Sequence, residues 1–245
     1  MSRSWTLTDL EFVVSWERTG EEILPEPLFF VSRTRLLADA EREKRATAAG
    51  LRVRSDGLPD QVLACLVRPD IRITVVATDH RDPHNPGSYL RLLGVRRGDT
   101  GYLVTQLPGE SVRYCGGYTI AEGEALALAT MVVDALPVVG AGRHTGVVLP
   151  NDDLEFDSAV RERGHRFLRL PTAMAGEIRV CQGSSVFGPR GLASRTLRWR
   201  DVVGDGRYVI AGDPPAAVPA DGKRLTVAVN HAVASVVAAI REERE

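Results

Sequence analysis

An α+β fold, with an antiparallel sheet flanked by helices, is predicted by three features of the sequence. Runs of period-two alternation follow one another through short Gly-, Pro- and Asp-rich connections, as in residues 70–114, which is the pattern of an antiparallel meander. Residues 194–213 form the sharpest such unit: Leu197 and Trp199 alternate with Arg198 and Arg200, Gly204-Asp205-Gly206 turns the chain, and Arg207-Tyr208-Val209-Ile210 brings it back. Between the strand segments lie capped stretches of helical periodicity.

Composition bounds the function classes. Apolar residues make up 44% and charged residues 26% of 245 residues, and the net charge is −1, so no long-range field points to nucleic acid or to an anionic membrane. Lys44 and Lys223 are the only lysines, and arginine supplies the rest of the 31 cations. Cys65, Cys115 and Cys181 are isolated, with no C-x-x-C pair, and are expected as thiols in a reducing compartment rather than as a disulfide framework or zinc site. Residues 1–10 carry Asp9 and no apolar run, and no stretch approaches the roughly 18 to 20 apolar residues of a membrane span. A cytoplasmic protein is the expectation.

The elements follow in order. Thr8-Asp9-Leu10-Glu11 is a capping box flanked by the staple pair Leu7 and Phe12, opening a helix that buries Phe12, Val13 and Trp16 and stops at Gly20. A second, highly charged helix is predicted over 33–49, ending at Gly50, with a thin buried stripe at Leu36, Leu37 and Ala40; its other face is either solvated or open to a partner. A third covers 58–67 and is ended by Pro69. Strands are predicted at 70–78, 88–96, 102–107 and 111–114, with Gly116-Gly117 closing the meander. Thr119-Ile120-Ala121-Glu122 reads as a second capping box for a long helix reaching Leu136, with Leu126, Ala129, Val133 and Leu136 buried.

After the glycine-rich 137–146 break, Asn151-Asp152-Asp153 is predicted to cap a helix over 154–163 that Gly164 interrupts. Strands are expected at 177–182 and 224–229, with Asn230 capping a terminal helix whose face carries Val233, Val236, Val237 and Ile240. Each half, about 1–140 and 141–245, reads as helical segment, strands, then helix; the strands are expected to share one sheet in a single domain.

Chemistry is sparse. There is no G-x-S-x-G elbow, no H-E-x-x-H helix and no glycine-rich phosphate loop. His80, Asp82 and His84 alternate in a Pro- and Gly-rich loop that matches no zinc spacing. A metal-dependent hydrolase built on them is the least favoured reading, and a non-catalytic module binding another protein or a small ligand is a stronger alternative. Neither a metal nor a cofactor is expected.

Three marks carry a resemblance: the opening W-x-L-x-x-x-E-F-x-x-x-W-E formed by Trp5, Leu7, Glu11, Phe12, Trp16 and Glu17; the strand entry Arg68-Pro69-Asp70; and the terminal hairpin Asp205-Gly206-Arg207-Tyr208 followed by one more strand and a helix. In this order they resemble the EspG family, chaperones of actinobacterial type VII (ESX) secretion. The resemblance implies a twisted central antiparallel sheet between helical bundles with quasi-twofold symmetry. It implies a cytosolic chaperone, monomeric or weakly dimeric, that binds PE/PPE-type heterodimers or similar helical-hairpin substrates near the tip of the PPE subunit and keeps them soluble for export. It places the contact on the sheet and the C-terminal half. Tyr102 and Trp199, strand aromatics near or between arginines, are the candidate partner anchors; the alternative is that both pack under helices.

Overall fold

The alternating segments close into one antiparallel sheet of ten strands, ordered β1-β5-β4-β3-β2-β7-β8-β9-β10-β6. A computed structural model describes residues 3–54, 57–150, 157–185 and 187–244. The first half comprises β1 (Ser4–Leu7), α1 (Asp9–Glu17), α2 (Leu37–Val53), α3 (Asp60–Val67), β2 (Ile71–Asp79), β3 (Tyr89–Arg97), β4 (Thr100–Pro108), β5 (Cys115–Glu124) and α4 (Leu128–Asp134). The second comprises β6 (Val147–Val148), α5 (Ser158–Leu168), β7 (Thr172–Gln182), β8 (Ser194–Val202), β9 (Gly206–Ala211), β10 (Ala216–Pro219) and α6 (Gly222–Arg244). Read outward from the central β2–β7 pair, each half runs through four strands joined by three hairpins and ends on the strand that opened it. The connectivity is quasi-twofold, as the resemblance implies.

Alternation along each strand sends residues to two faces. On one face Ile71, Ile73, Val75, Ile178, Val180, Leu197 and Trp199 pack under α4 and α6. On the other, α1 and α3 cover β3, β4 and β5 through Phe12, Trp16, Val62, Leu66, Leu93, Val104, Tyr118 and Ile120. At the far end of that second face, α5 covers β9 and β10 through a smaller cluster: Leu149, Phe167, Val202, Tyr208 and Ala217.

The opening capping box forms as expected, with Glu11 N donating to Thr8 Oγ1 at 3.2 Å and Thr8 N to a Glu11 carboxylate oxygen at 2.9 Å. β1 was not foreseen: its four residues pair with β5, which turns the opening tryptophan motif into an edge strand. α2 begins at Leu37, later than expected, and buries none of its residues. Leu36 and Leu37 are exposed rather than forming a buried stripe. The helix is tied to α1 by Lys44–Glu17 at 2.5 Å, and Arg54, just past its C-terminal end, pairs with Glu11 at 2.6 Å.

Two helix and strand assignments exchange. Residues 111–114 are a turn, and the supposed helix start 119–122 is the middle of β5, hydrogen-bonded to β4 and β1 on both sides. Tyr118 and Ile120 point to one face and Thr119 and Ala121 to the other, a period of two that outweighs the capping box. The helix therefore starts only after a 3-10 turn at Ala125–Ala127, leaving Leu126 exposed. Conversely, residues 224–229 are helical, and the last strand is β10. L-T-V-A-V fits both periods, but Leu225, Val229, Ala232 and Val236 are buried at helical spacing while Val227 is 69% exposed. Asp221 accepts from Arg224 N at 2.9 Å and caps the helix in place of Asn230. The 22 residues Gly222–Glu243 are apolar enough by length and composition for a membrane span; here one face of that helix builds the core.

The expected cap at 151–153 lies outside the described residues. α5 is capped by Asp157 and runs straight through Gly164. A Cβ there would lie 2.4 Å from Pro150 Cδ and 2.9 Å from Val148 O, so glycine allows α5 to lie directly on β6. β7 starts at Thr172, five residues before the expected strand. In the β8–β9 turn, Gly204 takes φ +71°, and Asp205 N donates to Val202 O at 3.1 Å.

A sheet face left open between two helical covers

The sequence anchors lie inside the molecule. Tyr102 is 3% exposed and packs with Trp5, ring centroids 6.5 Å apart, in the core beneath α1 and α3. Trp199 is 1% exposed in the core beneath α4 and α6, and its ring fills the space above Gly176, where a Cβ would come within 2.3 Å of it. Alternation with Arg198 and Arg200 marks Trp199 as one side of its strand, and for both aromatics the side they occupy is one that helices cover. The structure does not bring the two together.

The terminal mark of the resemblance is likewise internal, and each of its residues has a fastening role. Arg207, 1% exposed, donates to both carboxylate oxygens of Asp201 at 2.7 and 2.9 Å and to Pro137 O at 3.0 Å. Its backbone exchanges hydrogen bonds with Gly140 and Gly142. Asp205 accepts from Tyr208 Oη at 2.5 Å and Arg143 N at 2.8 Å, while His144 N donates to Tyr208 Oη at 3.0 Å. A Cβ on Gly206 would meet Ala141 O at 2.6 Å. The motif is a clasp that holds the 137–144 connection onto the β8–β9 hairpin. Burial alone would raise the Asp205 carboxyl, but hydrogen bonds from Tyr208 and Arg143 outweigh it and hold the group below the usual carboxylate range.

Between the covers of α1/α3 and α5, no helix among the described residues lies over the middle of the sheet on this face. α6 packs on β7 and β8 from the other side, and α5 sits over β6. The floor is therefore the residues of β2, β7 and β8 on this face, in rows set by the register: Arg72, Cys181 and Ser194; Thr74, Arg179 and Thr196; Val76, Glu177 and Arg198; Thr78, Ala175 and Arg200, of which Val76, Arg179, Ser194, Thr196 and Arg198 are exposed and the rest half-buried. Val76 is 44% exposed in mid-sheet, where a covered strand would bury it.

Two walls bound this floor. On one side the segment after α1 crosses the sheet: Phe29 N donates to Gln106 Oε1 at 3.0 Å, Tyr118 Oη donates to Phe29 O at 2.7 Å, and Arg91 stacks 4.8 Å over the Phe29 ring. Burial pulls the Arg91 guanidinium below its ordinary range. Arg33 locks the segment by pairing with Asp9 and, at 2.7 Å, with Glu110. The Arg33 hydrogen bonds hold the Glu110 carboxyl at about 2. On the other side Arg200 donates to Phe167 O, Leu168 O and Leu170 O at 3.1 to 3.3 Å, pinning the C-terminal end of α5 and leaving Leu168 half exposed at the rim. The result is a shallow, partly apolar, arginine-rich trough over the centre and C-terminal half of the sheet. Nothing in the sequence flagged it, because its mark is a missing cover rather than a motif.

His80 and His84 sit in the β2–β3 connection, and no group of three or more His, Cys, Asp or Glu residues able to hold a metal occurs among the described residues.

A comparison with curated proteins gives no match. Among solved structures, the chain is similar to the Mycobacterium tuberculosis type VII secretion system chaperone EspG5, solved in complex with a PE25–PPE41 dimer: 16% identity, TM-score 0.60, covering 94% of this chain and 96% of that one. The family model described as the EspG family matches residues 8–231. The chain belongs to the EspG family.

Proposed function

We propose that this protein is a non-catalytic, cytoplasmic chaperone of type VII secretion that binds a PE/PPE-type heterodimer on the open face of its sheet. The observation that carries this reading is the family match over residues 8–231, joined by a likeness along nearly the whole chain to a chaperone solved with a PE–PPE dimer. The trough supplies what such binding needs: exposed apolar positions at Val76 and Leu168, ringed by side chains that donate hydrogen bonds. A client tip seated there would lose contact with water and with other clients, which is how a chaperone keeps an aggregation-prone surface soluble. The continuous sheet across β2 and β7 supports the reading of one domain in two halves. Tyr102 and Trp199 act from beneath, holding β4 and β8 in register rather than touching the client.

The test is co-expression with an actinobacterial PE/PPE pair followed by size exclusion with light scattering. One copy of each chain in a single peak is the expected result. A client that aggregates or elutes separately overturns the reading.

A further inference from the structure

We propose that the open face selects an acidic α-helical segment of its client, whose carboxylates pair with a diagonal ladder of Arg72, Arg179 and Arg198. This rests on the reading of the open face as the client surface and adds the chemistry by which that face recognises its partner.

The ladder follows from the register. Arg72 on β2 lies opposite Cys181, Arg179 on β7 lies opposite Thr74 and Thr196, and Arg198 on β8 lies opposite Glu177. Each step from one arginine to the next crosses one strand and shifts two residues, so all three share a face and stand as diagonal neighbours, roughly 7–8 Å apart. Arg91 on β3 borders the same face. A chain with a net charge of −1 thus gathers cations on a part of its sheet that no helix among the described residues covers.

Their charges are answered only in part from within: Glu26 lies close enough to act on the Cys181 thiol, opposite Arg72. Glu177 is the one carboxylate among the outward-facing residues of β2, β7 and β8, and it meets Arg198 at 3.4 Å with both side chains solvated, a contact that solvent screening leaves weak. Arg179 reaches no carboxylate among the described residues, and Arg72 Nε is buried without a hydrogen-bond partner. Arg91 rests on the rings of Phe29 and Tyr89. A buried donor left unpaired is costly, and guanidinium groups are suited to planar, two-point pairing with carboxylates. Carboxylates four residues apart on an α-helix stand about 6 Å apart along its axis, a spacing that flexible arginine side chains can meet along the diagonal.

The test measures binding of a purified PE/PPE pair to the intact chain at about 0.05 and 0.5 M salt, the range over which exposed charges become screened. The expected result is affinity that falls at least tenfold with salt. Arg179→Glu and Arg198→Glu should each weaken binding about tenfold at low salt, while Arg179→Lys and Arg198→Lys retain most of it. Both positions are exposed, so unchanged melting temperatures will show that the variants fold. Arg195→Glu, on the opposite side of β8, should bind as the parent does. Binding that is flat with salt and equal in both reversals overturns the ladder and leaves the chaperone reading standing. No binding by the parent protein at low salt overturns both.

Discussion

The two halves of this protein share a strand order and differ in how they are covered. In the first, α1 and α3 close one face of β3, β4 and β5 with sixteen buried residues among those described, while in the second α5 closes the corresponding face with five. The difference lies in the connections: the first half carries α1, α2, α3 and the crossing segment around Phe29 between its opening strand and β2, where the described residues of the second half carry α5. Compensation in the second half is polar, through the clasp of Arg207, Asp201, Asp205 and Tyr208. A face that its own chain leaves uncovered, on a framework held by other means, is available for a partner.

This contrast can be broken by mutation. Phe12→Ala removes a ring stacked 4.2 Å from Tyr118 and should cost about 3–5 kcal/mol. Phe167→Ala, in the thinner cluster, should fall at or below the low end of that range. Urea unfolding of both variants would refute the contrast if their order were reversed. Arg207→Ala leaves Asp201 buried without its cation and frees the 137–144 connection; it should cost about 3 kcal/mol or more, with hydrogen exchange rising first at residues 137–148.

The smallest effect is in pH. The Asp205 carboxyl is depressed in the folded state, so its contribution is fully present above the ordinary carboxylate range and is lost as pH falls through the depressed value. Asp205→Asn should flatten the stability profile as pH falls through and below the ordinary carboxylate range. A profile identical to the parent's would show that the clasp carboxylate contributes nothing. The Arg33–Glu110 pair adds acid sensitivity of the same sign, between the ordinary carboxylate range and about 2.

Much of the fold was legible because periodicity and caps act locally: the Thr8 box, the β2 alternation and the β8–β9 hairpin all form where the sequence places them. The errors fell where two periods overlap. Residues 119–122 satisfy a capping box, yet pairing on both sides makes them strand, and residues 224–229 alternate, yet bury at helical spacing. The opening mark proves to be scaffolding: Trp16 Nε1 donates to Ile23 O at 3.0 Å, Glu11 closes the cap, and the exposed Glu17 holds Lys44. Such marks identify the fold and say nothing of the binding surface. Tyr102 and Trp199 are buried beneath helices, and alternation reveals two faces without revealing which one the helices will cover.

The measurement that bears most directly on the open face is thiol labelling in the presence and absence of a bound PE/PPE pair. Val76→Cys in a Cys181→Ser background places one reactive group on the open face, and Val227→Cys in the same background places one on α6, on the opposite side of the sheet. Cys65 and Cys115 are buried and stay silent. If the open face holds the client, labelling at position 76 slows at least tenfold in the complex and labelling at position 227 is unchanged. Labelling at 76 that persists while 227 becomes protected would place the client on the helical side and contradict this structure-based assignment.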